Sequence, residues 1–139
     1  MINFTISLVP LIVLSLGNFL LSWIWYSPLL FAKPWMKALG INDKHEMSEK
    51  EKREMPFLFI SGLFSSILFV SVLMILINNL QITNFLSGML IGLIFWVGFV
   101  VTHSLNTLWE GRKVKVLLIN NGLFLITYTI FGGLLAIWK

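Results

Sequence analysis

The sequence predicts an all-α polytopic membrane protein, with four transmembrane helices in two hairpins and both termini outside. Three observations lead there. The 139 residues are 58% hydrophobic and 12% charged, with a mean hydropathy of +0.90, whereas a soluble domain carries about 25% charged residues. A single domain of this length cannot bury so much apolar surface within itself. Second, residues 1–32, 55–109 and 116–138 contain no Asp, Glu, Lys or Arg. These blocks accommodate spans of about 20 residues and lack the alternation of barrel strands. Third, nine of the ten basic residues fall in two of the connections.

The first span is predicted at about 4–27. No Lys or Arg occurs in Met1–Pro10, so the positively charged start of a cleavable signal is missing. Pro28 disfavours helical geometry at Ser27 and ends the span there. The connection 28–55 is the one sizeable polar part. Leu29–Gly40 is apolar and basic, as in a segment lying on a membrane surface. Asp43–Glu54 mixes charges among helix formers, and Ser48 with Glu51 has the spacing of a capping box. This stretch reads as a solvated extension of the second span, containing a solvated His45. A surface for a docking partner is the other reading.

The second span follows at 56–78, with Pro56 in its first turn, where a missing N–H costs nothing. The polar run Asn78–Asn84 is the turn to a third span at 85–109. A short connection with Arg112, Lys113 and Lys115 leads to the fourth span at 115–138. The connection 78–84 has no Lys or Arg, so the positive-inside rule puts the loops 28–55 and 110–114 in the cytoplasm. Trp23, Trp25, Tyr26, Trp35 and Trp109 form an aromatic belt at that side, and Trp138 marks the other. Trp96, in mid-span, is expected to pack against protein. Gly88-x-x-x-Gly92, Gly62-x-x-x-Ser66 and Gly132-Gly133 allow close helix approach, within the bundle or between subunits. Ser61-Gly62-Leu63-Phe64 and Asn121-Gly122-Leu123-Phe124 hint at a parallel internal repeat.

All four spans bring polar residues to one layer in the cytoplasmic half: Asn18 and Ser22, Ser61 and Ser65, His103 and Asn106, Asn120 and Asn121. Such groups turn away from lipid. They serve either as hydrogen-bonding glue between helices or as a small polar pocket. His103 is the one ionisable group well inside a span, and Glu110, seven residues on and on a similar face, either orients it or is an interfacial charge neutralised by Arg112. No acidic residue lies inside a span, which weighs against proton-coupled exporters that depend on one. There are no cysteines. One span histidine does not make a metal site of three or four ligands, so no metal or cofactor is expected. No assembled catalytic set is present, which weighs against an enzyme. The basic charge of +4 sits in short loops and suits anionic headgroups rather than nucleic acid. The expected partners are the lipid bilayer and further copies of the chain.

Trp25-Tyr26-Ser27-Pro28-Leu29-Leu30-Phe31-Ala32-Lys33-Pro34-Trp35-Met36, then Leu108-Trp109-Glu110-Gly111-Arg112, then Ile119-Asn120, resemble the small bacterial multi-pass proteins of the DUF1761 family. Ala32 stands where Gly is usual and Trp109 where Phe is usual. The resemblance runs nearly end to end and implies four helices in an inner membrane, with no activity or ligand attached. It draws attention to a surface motif of Trp25, Tyr26, Pro28, Trp35, Glu110 and Arg112, in which Arg112 over Trp25 or Trp35 would make a cation–π contact. The function expected is an oligomeric scaffold or small-molecule-binding bundle. The alternatives are a channel or transporter for a small polar solute, and a membrane enzyme acting on a lipid or isoprenoid.

Overall fold

A computed structural model describes residues 3–41 and 47–138. His45, the start of the charged run at 43–46, and Lys139 lie outside the described residues. The described chain is all helical: α1 (Leu8–Trp25), α2 (Ala32–Leu39), α3 (Glu49–Asn79), α4 (Phe85–Trp109) and α5 (Val114–Ile137). Four of them, α1, α3, α4 and α5, are long and apolar enough to cross a membrane. Their outer faces carry exposed large hydrophobics such as Leu16, Leu20, Ile60, Leu86 and Ile94, a surface that suits lipid and is costly in water.

Two elements differ from the sequence reading, and a third forms the solvated extension it expected but moves Pro56 out of the first turn. The first span starts at Leu8 rather than near residue 4. Residues 3–7 lie outside the helix, and Asn79 clamps Asn3, accepting from its N–H at 2.8 Å and donating to its carbonyl at 2.7 Å. The amphipathic stretch after the first span folds into the separate short helix α2. The second span starts seven residues before Pro56, at Glu49, so Pro56 lies in the helix interior. The capping box explains that early start. Ser48 Oγ accepts from the Glu51 N–H, and Glu51 Oε2 accepts from the Ser48 N–H at 2.7 Å. The i,i+3 pair Glu49–Lys52 at 2.8 Å then supports the solvated first turns. Pro56 leaves the carbonyl four residues back, at exposed Lys52, without its helical donor, where water can serve it.

The helices associate as two antiparallel pairs, α1 with α3 and α4 with α5, and α5 also touches α1, α2 and α3. α3 and α4 scarcely meet. The α4–α5 seam is a glycine seam. A Cβ on Gly88 would collide with the Gly132 carbonyl, and one on Gly92 with the Tyr128 carbonyl. The small-residue motif of the third span therefore serves a contact inside the chain. Gly62 receives the ring of Phe19, and Gly122 that of Trp25, each with a Cβ-to-ring distance of 3.3 Å. The two similar tetrapeptides thus each offer a notch to an aromatic of α1. The apolar core, Leu14, Val70, Leu73, Met74, Ile77, Phe131, Leu135 and Ala136, sits between α1, α3 and α5. It lies toward the end shared by both termini, opposite the basic loops.

Candidate functional site

At the basic end, local chain chemistry folds α2 back under α1. The N–H of Tyr26 still bonds Ser22, but helical geometry at Ser27 is blocked by Pro28. The chain turns instead: the N–H of Phe31 reaches the Trp25 carbonyl at 3.0 Å and that of Ala32 the Ser27 carbonyl at 3.1 Å. Pro34 is tolerated in the first turn of α2. Gly40, at φ 80°, closes that helix, with Ile41 N–H bonded to Met36 and Gly40 N–H to Lys37, a Schellman ending. A second one at Gly111, φ 71°, ends α4.

The reversal delivers three aromatic donors to the start of α5. Trp25 Nε1 donates to the Ile119 carbonyl at 3.0 Å. Tyr26 Oη donates to Asn120 Oδ1 at 2.8 Å, and Trp35 Nε1 to the same oxygen at 3.2 Å. The Tyr26 and Trp35 rings lie 5.3 Å apart. An indole N–H can only donate, so the Asn120 oxygen must face Trp35 and its NH2 group must point elsewhere. Burial pushes the Tyr26 phenol up to about 12, which keeps it a neutral donor. Asn120, assigned from sequence to the polar layer, and Trp25, Tyr26 and Trp35, assigned to a surface motif, thus form one cluster.

The rest of the predicted layer divides. Asn18 Nδ2 donates to Ser66 Oγ at 2.8 Å, and Ser22 Oγ to the Asn18 carbonyl at 2.8 Å. On the α4–α5 seam, Asn121 Nδ2 donates to Ser104 Oγ at 3.1 Å, while Trp96 Nε1 donates to the Asn121 carbonyl at 2.9 Å. His103 stacks on Phe99, with ring centroids 5.2 Å apart, and meets Phe124 edge-on. Its Nε2 and Asn121 Oδ1 are buried without partners among the described residues. Ser65 is exposed, Asn106 is exposed, and neither they nor half-buried Ser61 make a side-chain bond among the described residues. Ser66, Ser104 and Thr107 are bonded residues that the sequence reading did not place in the layer; Ser66 and Ser104 face Asn18 and Asn121, and Thr107 bonds the His103 carbonyl one turn back in its own helix.

Of the two readings of Glu110 the pair with Arg112 is the one formed, and the expected contact of Arg112 with an indole is not formed among the described residues. Glu110 lies exposed at the turn and pairs with Arg112 at 2.9 Å rather than with His103. That same pair, together with Trp25 and Trp35 being spent on α5, leaves Arg112 away from the indoles. Among the described residues no group of three His, Cys, Asp or Glu can hold a metal.

The aromatic cluster borders a groove of about 700 Å³ between α1, α2 and α3, within the about 300–1,000 Å³ range of small-molecule sites. Phe19, Trp23, Tyr26, Trp35 and Phe59 line it, Pro28 and Met55 stand at its basic end, and Asn120 is among its polar groups with Ser22, Ser27 and Ser66. No charged side chain lines it. A smaller cavity of about 340 Å³ reaches from Asn18 to Phe124 and Tyr128, and shares Ser22, Gly62 and Ser66 with the groove.

No curated protein and no solved structure matches the chain. The sequence profile of one family, a protein of unknown function (DUF1761), matches residues 9–136. With nearly the whole length covered, the chain belongs to the DUF1761 family.

Proposed function

We propose that this is a membrane-embedded binding bundle that holds one uncharged amphiphile in the groove between α1, α2 and α3. The observation that carries the reading is the lining: an open groove of about 700 Å³ walled mainly by aromatic and aliphatic side chains, with no charged residue and with Asn120 and serines as its polar groups. An anionic or cationic head would lose its hydration there without a counter-charge. A solute lacking an apolar part would leave the aromatic walls unsatisfied. The scaffold alternative accounts for the clasp of three aromatics on α5 but not for the space beside it. The enzymatic alternative has lost its His103–Glu110 couple, because Glu110 is turned to Arg112.

The same reading places the basic loops in the cytoplasm and the chain in an inner membrane as a homo-oligomer. Charge asymmetry supports the first point, and the small volume four helices enclose supports the last. Native mass spectrometry of the full chain, released gently from its membrane, tests the binding reading. The expected result is one small neutral adduct per chain, lost in Asn120→Leu. Bare chains alone, or an equal adduct on the variant, overturn it.

A further inference from the structure

We infer that the basic end of the molecule holds the phosphate head of one anionic phospholipid, in the small cavity between the end of α2 and the turn that joins α4 to α5. This site is separate from the groove and does not depend on what the groove binds.

Two helix-ending glycines in left-handed geometry border the cavity, Gly40 at φ 80° and Gly111 at φ 71°. Its volume is about 250 Å³, and Leu39, Arg112, Lys113 and buried Val116 complete the wall. A Cβ at either glycine would meet nothing within 4 Å, so bare backbone leaves the approach open.

The charge around the cavity is unspent. Lys113 makes no ion pair or side-chain hydrogen bond among the described residues, and the same holds for Lys115, Lys33 and Lys37. Lys33 and Lys37, four residues apart, share one face of α2. Arg112 gives its Nε to Glu110 at 2.9 Å, which leaves its Nη donors without a partner among the described residues. Five exposed cations thus stand at this end against the one carboxylate of Glu110. A phosphate oxygen accepts from guanidinium and ammonium together, in charge-assisted bonds about twice as strong as neutral ones. The groove, with no charged side chain, offers nothing of the kind.

The place of the cavity selects a lipid as the source of that phosphate. Residues 110–113 join two spanning helices directly, so Arg112 and Lys113 stand at headgroup depth. Trp109, the last residue of α4, is 87% exposed, and Val114, the first of α5, is 57% exposed. Acyl chains therefore find apolar surface next to the cations. Basic pockets between spanning helices hold anionic heads in this way. A zwitterionic head brings its own ammonium to the same cluster and is repelled.

The purified full chain in detergent is titrated with dioleoyl phosphatidylglycerol or dioleoyl phosphatidylcholine, and native mass spectrometry counts the lipids retained. The expected result is one phosphatidylglycerol per chain at saturation, held at least about tenfold more tightly than phosphatidylcholine. Lys113→Gln and Arg112→Gln, both at exposed positions, each weaken it by about tenfold. Lys50→Gln removes the same charge from the solvated start of α3, where Lys50 pairs with Glu54 at 3.8 Å, and is expected to change binding less than about twofold. Equal losses in all three variants report diffuse attraction to a basic surface and overturn the site. Equal retention of the two lipids overturns it as well. Glycerol 3-phosphate binding as tightly as the lipid moves the site to a free phosphate and overturns the lipid assignment. The neutral adduct expected in the groove differs in mass, so the failure of either site is read without the other.

Discussion

Asn120 shows how a single amide can organise an end of a bundle. Its oxygen takes Tyr26 and Trp35 together, and replacing it strands two half-buried donors, each costing up to about 1–3 kcal/mol when left unpaired. Asn120→Leu is therefore expected to lower the thermal midpoint in detergent and to shift indole emission, as Trp35 loses its acceptor. Asn106→Leu, at an exposed position without a partner, is expected to stay within about 0.5 kcal/mol of the unaltered chain. Arg112→Ala removes an exposed pair with Glu110. Screening by solvent limits its contribution to less than about 1 kcal/mol, so unfolding of that variant is expected to match the parent closely. At this scale Asn18, Ser22, Asn120 and Asn121 of the expected layer are bonded, while Ser61, Ser65 and Asn106 make no side-chain bond among the described residues. Height along a helix can be counted from sequence, and that placed Asn18, Asn120 and Asn121 in a common layer. Direction around a bundle axis cannot be counted before the neighbours are known. Adjacent Asn120 and Asn121 therefore face different partners, and Glu110, counted onto the face of His103, is drawn to its near neighbour Arg112.

The long helices were legible as elements because apolar length alone specifies them, and their turns were legible from Pro28, the Asn-rich run at 78–84 and the basic residues Arg112, Lys113 and Lys115. What escaped was α2. Eight residues are too few for a reliable periodic signal, and Lys33 and Pro34 resemble a loop until Gly40 is seen to close a helix. The solvated extension ahead of the second span was legible from the Ser48–Glu51 box, and that extension is why Pro56 sits in the helix interior rather than in its first turn. The glycine positions were legible as contact sites, though the partner helix was not. Their energetic weight is testable by contrast. Gly92→Leu must push α4 off the Tyr128 carbonyl, an overpacking cost of about 1–3 kcal/mol or more, seen as a large fall in the thermal midpoint. Gly98, on the same helix, has nothing within 4 Å of its would-be Cβ. Gly98→Ala is expected to raise stability by about 0.5–1 kcal/mol, through reduced freedom of the unfolded backbone.

For the molecule as a whole, charge asymmetry and helix pairing agree on one geometry. The clamp of Asn79 on Asn3 and the core shared by Ile77 and Leu135 put both termini at one end, with the basic connections at the other. The absence of cysteine makes the sidedness simple to measure in intact cells, since the background is silent. A cysteine at Thr83 is expected to react with an impermeant maleimide from outside, and one at Lys113 only after the membrane is opened. The reverse pattern would invert the orientation inferred from the positive-inside rule.

The place of α5 in the chain sets an order of events during synthesis. α1, α2, α3 and α4 all leave the ribosome before the helix that each of them packs against. Until α5 arrives, Tyr26 and Trp35 have no shared acceptor, and the notched face of α4 looks into lipid. The nascent chain therefore enters the membrane as two loosely related parts, which the last helix locks in one step. A ribosome that stalls after Gly111 leaves behind a product that has lost far more than one helix, with unpaired donors that membrane quality control can recognise.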